Sequence, residues 1–169
     1  MSKQAVLQAK PGKVKVKTGI PERDTGKLAT CLSRSLADTY ILYLKTQGTH
    51  WNAVGPLFYG LHNLTEAQYE DLAAAIDDIA ERIRAIGHVA PSSFAEFEKF
   101  SELKSEATQK SAENLVRQLV ADNQAVAERL RHSVQAAEEI DDVYTADLLT
   151  ARIGAHEQAA WMLRSILAE

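Results

Sequence analysis

The chain has 169 residues, 46% of them hydrophobic and 25% charged, with a formal net charge of -4. That is enough apolar material for one domain with a substantial core, and nothing calls for a second. No apolar run approaches the roughly 18 residues of a membrane span. The amino terminus lacks the apolar stretch of a secretory signal, and the single cysteine, Cys31, excludes an intrachain disulfide, so a cytoplasmic protein with Cys31 as a packing residue is the expectation.

In chain order, residues 1–24 hold Pro11, Gly12, Gly19 and Pro21 without a sustained amphipathic period, and read as a flexible arm. Its stretch 1–17 carries Lys3, Lys10, Lys13, Lys15 and Lys17 and no acid, a side-chain charge of +5 against -9 for the remainder. A first helix is predicted from Thr25 to Gln47, with Leu28, Leu32, Leu36, Tyr40, Tyr43 and Leu44 on one face and a stop near Gly48. A second runs from Leu57 to Ile86, with Pro56 ahead of it and Gly87 as the stop. The long connection to Lys110 contains Phe94, Phe97, Phe100 and Leu103 at amphipathic spacing, which predicts a short helix in the crossover. Ser111–Glu139 and Thr145–Leu167 are the third and fourth helices, the last with Leu148, Leu149, Ile153, Trp161, Leu163 and Ile166. Residues 25–169 therefore read as an all-α four-helix bundle whose second and third helices are joined by a long crossover.

Five side chains have the chemistry of metal ligands: His50, His62, Glu66, Asp77 and Glu81. The last four share the second helix, as two pairs spaced i,i+4 within roughly a 100° face. Their heights differ, because His62 and Asp77 stand about 22 Å apart along the axis, whereas ligands to one metal lie within about 2 to 2.6 Å of it. One molecule cannot close such a site. Two can, if their second helices pair antiparallel about a two-fold axis near Asp71 and Leu72, so that His62 and Glu66 of one copy face Asp77 and Glu81 of the other. His50, just before the Asn52–Pro56 turn, would come from the preceding helix. Two imidazoles and three carboxylates form a set suited to iron or manganese rather than to metals preferring soft ligands.

Thr49-His50-Trp51-Asn52, Gly55-Pro56-x-Phe58, Leu61-His62-x3-Glu66 and Asp77-x-Ile79-Ala80-Glu81-Arg82-Ile83 together resemble the mini-ferritin family of DNA-binding proteins from starved cells (Dps). The resemblance spans roughly Lys27 to Leu167. It implies a ferritin-like bundle, a ferroxidase centre between subunits, hydrogen peroxide as the oxidant of Fe(II), and storage of ferric mineral in a hollow dodecamer, so that DNA is spared oxidative damage. His50, His62, Asp77 and Glu81 match the family's ligand positions, whereas Glu66 stands where the family usually has Asp. Trp51 would lie near the metal. The other di-iron signature, Glu-x-x-His inside one bundle, is absent, since no histidine here has Glu three residues before it. His88, His132 and His156 join no ligand set and read as surface or structural.

Two further features bear on function. The acidic stretch from Glu138 to Asp147 looks like the family's negatively charged three-fold pore, with Asp142 and Asp147 as its carboxylates; an acidic helix start favoured by the macrodipole accounts for the same residues. The lysine arm, multiplied over an oligomer, can engage DNA phosphates without reading sequence, which would associate the protein with the nucleoid. Three classes follow: an iron oxidase and store with Fe as its metal, a DNA-compacting protein with a vestigial metal site, and a purely structural helical oligomer.

Overall fold

A computed structural model describes residues 10–105 and 110–167. Among these described residues five helices follow in order: α1, Glu22–Asn52; α2, Phe58–Ala85; α3, Phe94–Phe100; α4, Ala112–Glu138; and α5, Val143–Ile166. The long helices form two pairs, α1 with α2 and α4 with α5, joined chiefly where α1 meets α4, while α2 and α5 touch only sparsely. Leu28, Leu32, Leu36, Leu61, Ile79, Ile83, Leu119, Leu130, Leu149 and Leu163 fill the space between them. This is the all-α four-helix bundle, with a short helix in its long crossover, that the apolar periodicities imply.

Two helix ends differ from the expected ones. α1 passes through Gly48, which is buried within the helix, and continues to Asn52; the break comes at Gly55, whose φ of 92° suits only glycine well, followed by Pro56. One interior glycine costs a helix about 1 kcal/mol, too little to stop a helix whose flanks are packed. At its other end α1 begins at Glu22, directly after Pro21, with Glu22 and Asp24 in the first turn at the positive end of the dipole. α2 does end at the expected place, where Gly87 adopts φ 92°.

The crossover is held by polar contacts. Ser93 caps α3 and Glu96 reaches back to Ser92 N and Ser93 Oγ, a capping box. Phe97 is buried and stacks on Tyr40 at 4.4 Å, whereas Leu103 lies beyond the helix end. One carboxylate does much of the fastening: Asp38, buried on α1, accepts from Ser101 Oγ at 2.7 Å, Glu102 N at 2.9 Å and Arg129 Nε at 2.7 Å. Residues 10–19 are exposed, and they touch the bundle where Val14 N donates to Gly87 O at 2.9 Å. A Cβ on Gly87 would meet Val14 O at 2.4 Å.

Candidate metal centre

The extension of α1 through Gly48 places His50 on its last turn, directly beside His62 on the second turn of α2. The rings stack at 3.8 Å with planes 16° apart. Each is tethered to the other residue's backbone: His50 Nδ1 lies 2.9 Å from the His62 carbonyl and His62 Nδ1 3.1 Å from the His50 carbonyl. A carbonyl oxygen can only accept, so both Nδ1 atoms carry a proton, which leaves Nε2 as the nitrogen through which either ring would bind a metal. This is the arrangement metal-binding histidines adopt, with the second nitrogen anchored so that ring direction and tautomer are set beforehand. Tyr69 packs edge-on against His50 at 5.2 Å and Phe58 tilts over His62 at 5.1 Å.

The carboxylates divide into two classes. Asp38, Asp71, Asp122 and Asp142 are each committed to a cation, Arg129, Arg152, Lys45 and Arg82 respectively. Glu66, Asp77 and Glu81 have no described hydrogen bond or ion pair, and Asp77 and Glu81 are exposed. Among the described residues no three His, Cys, Asp or Glu of one chain converge on a point where a metal could bind. The histidine pair with Glu66, and the pair Asp77 with Glu81, are thus two half-sets at separate heights of one helix. Leu72 and Asp71 do mark the midpoint in height, but their side chains turn elsewhere, Leu72 into the core and Asp71 to Arg152 at 2.6 Å. On the ligand-bearing face, the exposed residues at that height are Glu70, Ala73 and Ala74. Trp51, Val54, Phe58 and Tyr59 are also exposed, the largest apolar side chains near the histidines.

The acidic stretch is resolved into different roles. Asp142 does not face solvent: it is buried, caps α5 by accepting from Thr145 N at 3.1 Å, and receives Arg82 Nη2 at 2.7 Å on both oxygens. Burial pushes its carboxyl pKa up, but Arg82 and Thr145 outweigh this and hold it below the usual carboxylate value. Within one chain Asp142 takes the helix-start role that the acidic stretch also allowed, because the α5 cap and the Arg82 ion pair engage its carboxylate. Asp147 is exposed on the first turns of α5. Of the arm lysines, Lys13 pairs with Glu22 at 3.3 Å, Lys10, Lys15 and Lys17 are exposed, and Lys3 lies outside the described residues. His88 meets Thr25 Oγ1 at 3.0 Å, and His132 is exposed.

What periodicity could not show is the mutual lock of the two histidines, which depends on the angle at which α1 returns into α2. Arg82, which ties α2 to the start of α5, was also not anticipated; it lies in the mixed run Glu81-Arg82-Ile83-Arg84, which carries no local sign of a partner sixty residues later.

Residues 30–169 match the family described as the ferritin-like domain. The chain is 38% identical over 155 residues to a low temperature-induced protein of Nostoc sp., covering 90% of this chain and 87% of that one. It is 35% identical over 136 residues to DNA protection during starvation protein 2 of Bacillus anthracis, covering 80% and 93%. Its fold superposes on the crystal structure of a Dps protein from Vibrio cholerae, described as a member of a broad superfamily of ferritin-like diiron-carboxylate proteins, with a TM-score of 0.85 at 29% identity, covering 95% of this chain and 99% of that one.

Proposed function

Because the chain belongs to the Dps family of ferritin-like proteins, we propose that it is an iron-storing, DNA-protecting homo-oligomer that oxidises Fe(II) at sites shared between two-fold-related subunits. The observation that carries this reading is the reciprocal tether of His50 and His62, which leaves Nε2 of both rings for a metal, on a chain whose Glu66, Asp77 and Glu81 engage no cation among the described residues. Antiparallel pairing of α2 across the exposed Ala73 and Ala74 would bring Asp77 and Glu81 of one subunit to the histidines and Glu66 of the other.

Fe(II) is the substrate. The imidazoles supply neutral donors of fixed direction, and the carboxylates supply hard oxygen that favours the ferric product over the ferrous reactant. With hydrogen peroxide as oxidant, two Fe(II) ions each release one electron, the O–O bond breaks, and two protons complete two waters. Consuming both reactants removes the source of hydroxyl radical, which is how such a site would protect DNA. Ferric mineral would collect in the hollow of a dodecamer, with Asp147 as the exposed acid drawing cations inward. A cytoplasmic setting beside the nucleoid belongs to the same reading, and among the described residues no helix is long and apolar enough to cross a membrane.

The test is Fe(II) added without oxygen to metal-free protein, followed by hydrogen peroxide, with ferric absorbance and oligomer size recorded together. His50→Ala combined with His62→Ala should reduce oxidation to the buffer rate in an oligomer of unchanged size; wild-type oxidation by that variant would exclude the site. The exposed Lys10, Lys15 and Lys17 favour a second activity, non-specific DNA binding by the arm. Deleting residues 1–17 should abolish a salt-sensitive gel shift and spare iron oxidation, whereas a retained shift would exclude the arm.

A further inference from the structure

Tyr69 follows His62 by two turns of α2, a spacing that returns it to within about 20° of the same side of the helix. Its ring packs edge-on against His50 at 5.2 Å. From there ring contacts continue without a gap along α1. Tyr69 meets Tyr43 edge to face at 6.1 Å, and Tyr43 meets Tyr40 at 6.1 Å. Tyr40 stacks on Phe97 of α3 at 4.4 Å, with Phe94 edge-on at 6.0 Å. The series runs from the His50 imidazole to the crossover, through three phenols, and ends on two phenylalanines.

Packing between α1 and α2 calls for rings, not for hydroxyls. What a phenol adds is chemistry: it gives up one electron readily when its proton leaves with it, whereas a phenylalanine ring does not. The three oxidisable rings are therefore connected to the histidines at one end and blocked at the other by Phe94 and Phe97. The middle phenol is further prepared, because Gln47 Nε2 donates to the Tyr43 hydroxyl oxygen at 3.0 Å. A donor at that oxygen favours the phenoxyl radical, which keeps only acceptor capacity there. Trp51, the other oxidisable ring next to His50 in the chain, is 62% exposed, so an electron vacancy placed on it would lie open to solvent.

Iron reaches a site one ion at a time, so peroxide can meet a single Fe(II). Peroxide needs two electrons, and breaking its O–O bond with only one releases hydroxyl radical. We propose that Tyr69, Tyr43 and Tyr40 form an electron relay that supplies the second electron and holds the oxidising equivalent until another Fe(II) arrives. The proposal rests on iron oxidation at His50 and His62. Fe(II) gives one electron and becomes Fe(III), while the Tyr69 hydroxyl gives one electron and its proton. With one proton from solvent, the two peroxide oxygens leave as two waters. Tyr69 is left as a neutral phenoxyl radical, which takes an electron and a proton from Tyr43, and Tyr43 in turn exchanges with Tyr40. The next Fe(II) returns one electron, solvent returns one proton, and all three phenols are restored. The net reaction is that of two Fe(II) with one peroxide, divided in time.

The intact oligomer is given less than one Fe(II) per site without oxygen, mixed with hydrogen peroxide, rapidly frozen and read by electron paramagnetic resonance. A phenoxyl signal is expected, with its splitting collapsed in protein made with ring-deuterated tyrosine, and it should vanish when more Fe(II) is added. Tyr69→Phe keeps a ring against His50 and removes the phenol, so the signal should be lost and spin-trapped hydroxyl radical should rise. Tyr43→Phe should confine the radical to Tyr69 and shorten its life, with oxidation of excess Fe(II) unchanged. A signal undiminished in Tyr69→Phe, whose source would be Tyr59 or Trp51, would overturn the relay. So would ferric iron formed with no protein radical, and both outcomes leave the metal site standing. A wild type that oxidises no iron even with excess Fe(II) would remove site and relay together.

Discussion

His50 and His62 differ from His156 in one respect that decides their use: where the second ring nitrogen points. In all three, Nδ1 is held by an oxygen acceptor. Neither of the first two has an Nε2 that is both enclosed and unpartnered, whereas that of His156 is, and its ring cannot take a proton without losing solvation. The sign of the pH effect follows. Between pH 6.5 and about 3 the unfolded chain carries a proton on residue 156 that the folded chain does not, so acidification across that window favours unfolding, by up to about 1.4 kcal/mol per pH unit. Asp71, lowered by its hydrogen bond to Arg152, acts in a lower window, since its contribution is present above 3.8 and is lost as pH falls through its folded value. Urea midpoints measured from pH 7 to 4 should fall for the wild type, and His156→Gln should flatten that decline; a parallel decline in the variant would assign it to other groups.

At the scale of elements, the joint that matters links the end of α2 to the start of α5. Arg82 Nε donates to Thr145 Oγ1 at 2.7 Å, Nη2 donates to Asp142, and the guanidinium lies 5.1 Å from the centre of the Tyr144 ring. Glu81, the neighbour of Arg82, is therefore carried on a helix end fixed against α5. The pair is largely enclosed, with side chains 12% and 2% exposed, so Asp142→Ala both strips the α5 cap and strands a buried cation. A loss of about 3–5 kcal/mol is expected, read as a lower denaturant midpoint. A pore carboxylate would behave otherwise, with iron uptake slowed and stability unchanged, and that is the outcome expected for Asp147→Asn.

At the scale of the whole molecule, a site divided between subunits would be restored by combining two complementary defective variants. A variant lacking His50 and His62 and a second variant carrying Asp77→Asn and Glu81→Gln should each be inactive as pure oligomers. Refolded together in equal amounts, half of the two-fold pairs would be mixed, and each mixed pair contains one intact site made from the undamaged halves. Peroxide-driven iron oxidation should return to about a quarter of the wild-type rate. No recovery, in oligomers shown by mass to be mixed, would place the five ligands in some other relation.

The helices and their order were legible because each depends on local chemistry: apolar spacing along α1, α2, α4 and α5 and the stop at Gly87; the i,i+4 steps of His62, Glu66, Asp77 and Glu81 likewise put two candidate half-sets on one face of α2. Only tertiary structure decided what depends on how helices meet. Gly48 stays helical because its neighbours are packed, and so His50 reaches His62; the tautomers of both rings follow from that meeting. Asp142 is a cap and an ion-pair partner rather than an open acid, because Arg82, sixty residues earlier in the chain, lies against it. Periodicity tells which face of a helix is buried, but the partner across that face is set by packing angles that no single segment encodes.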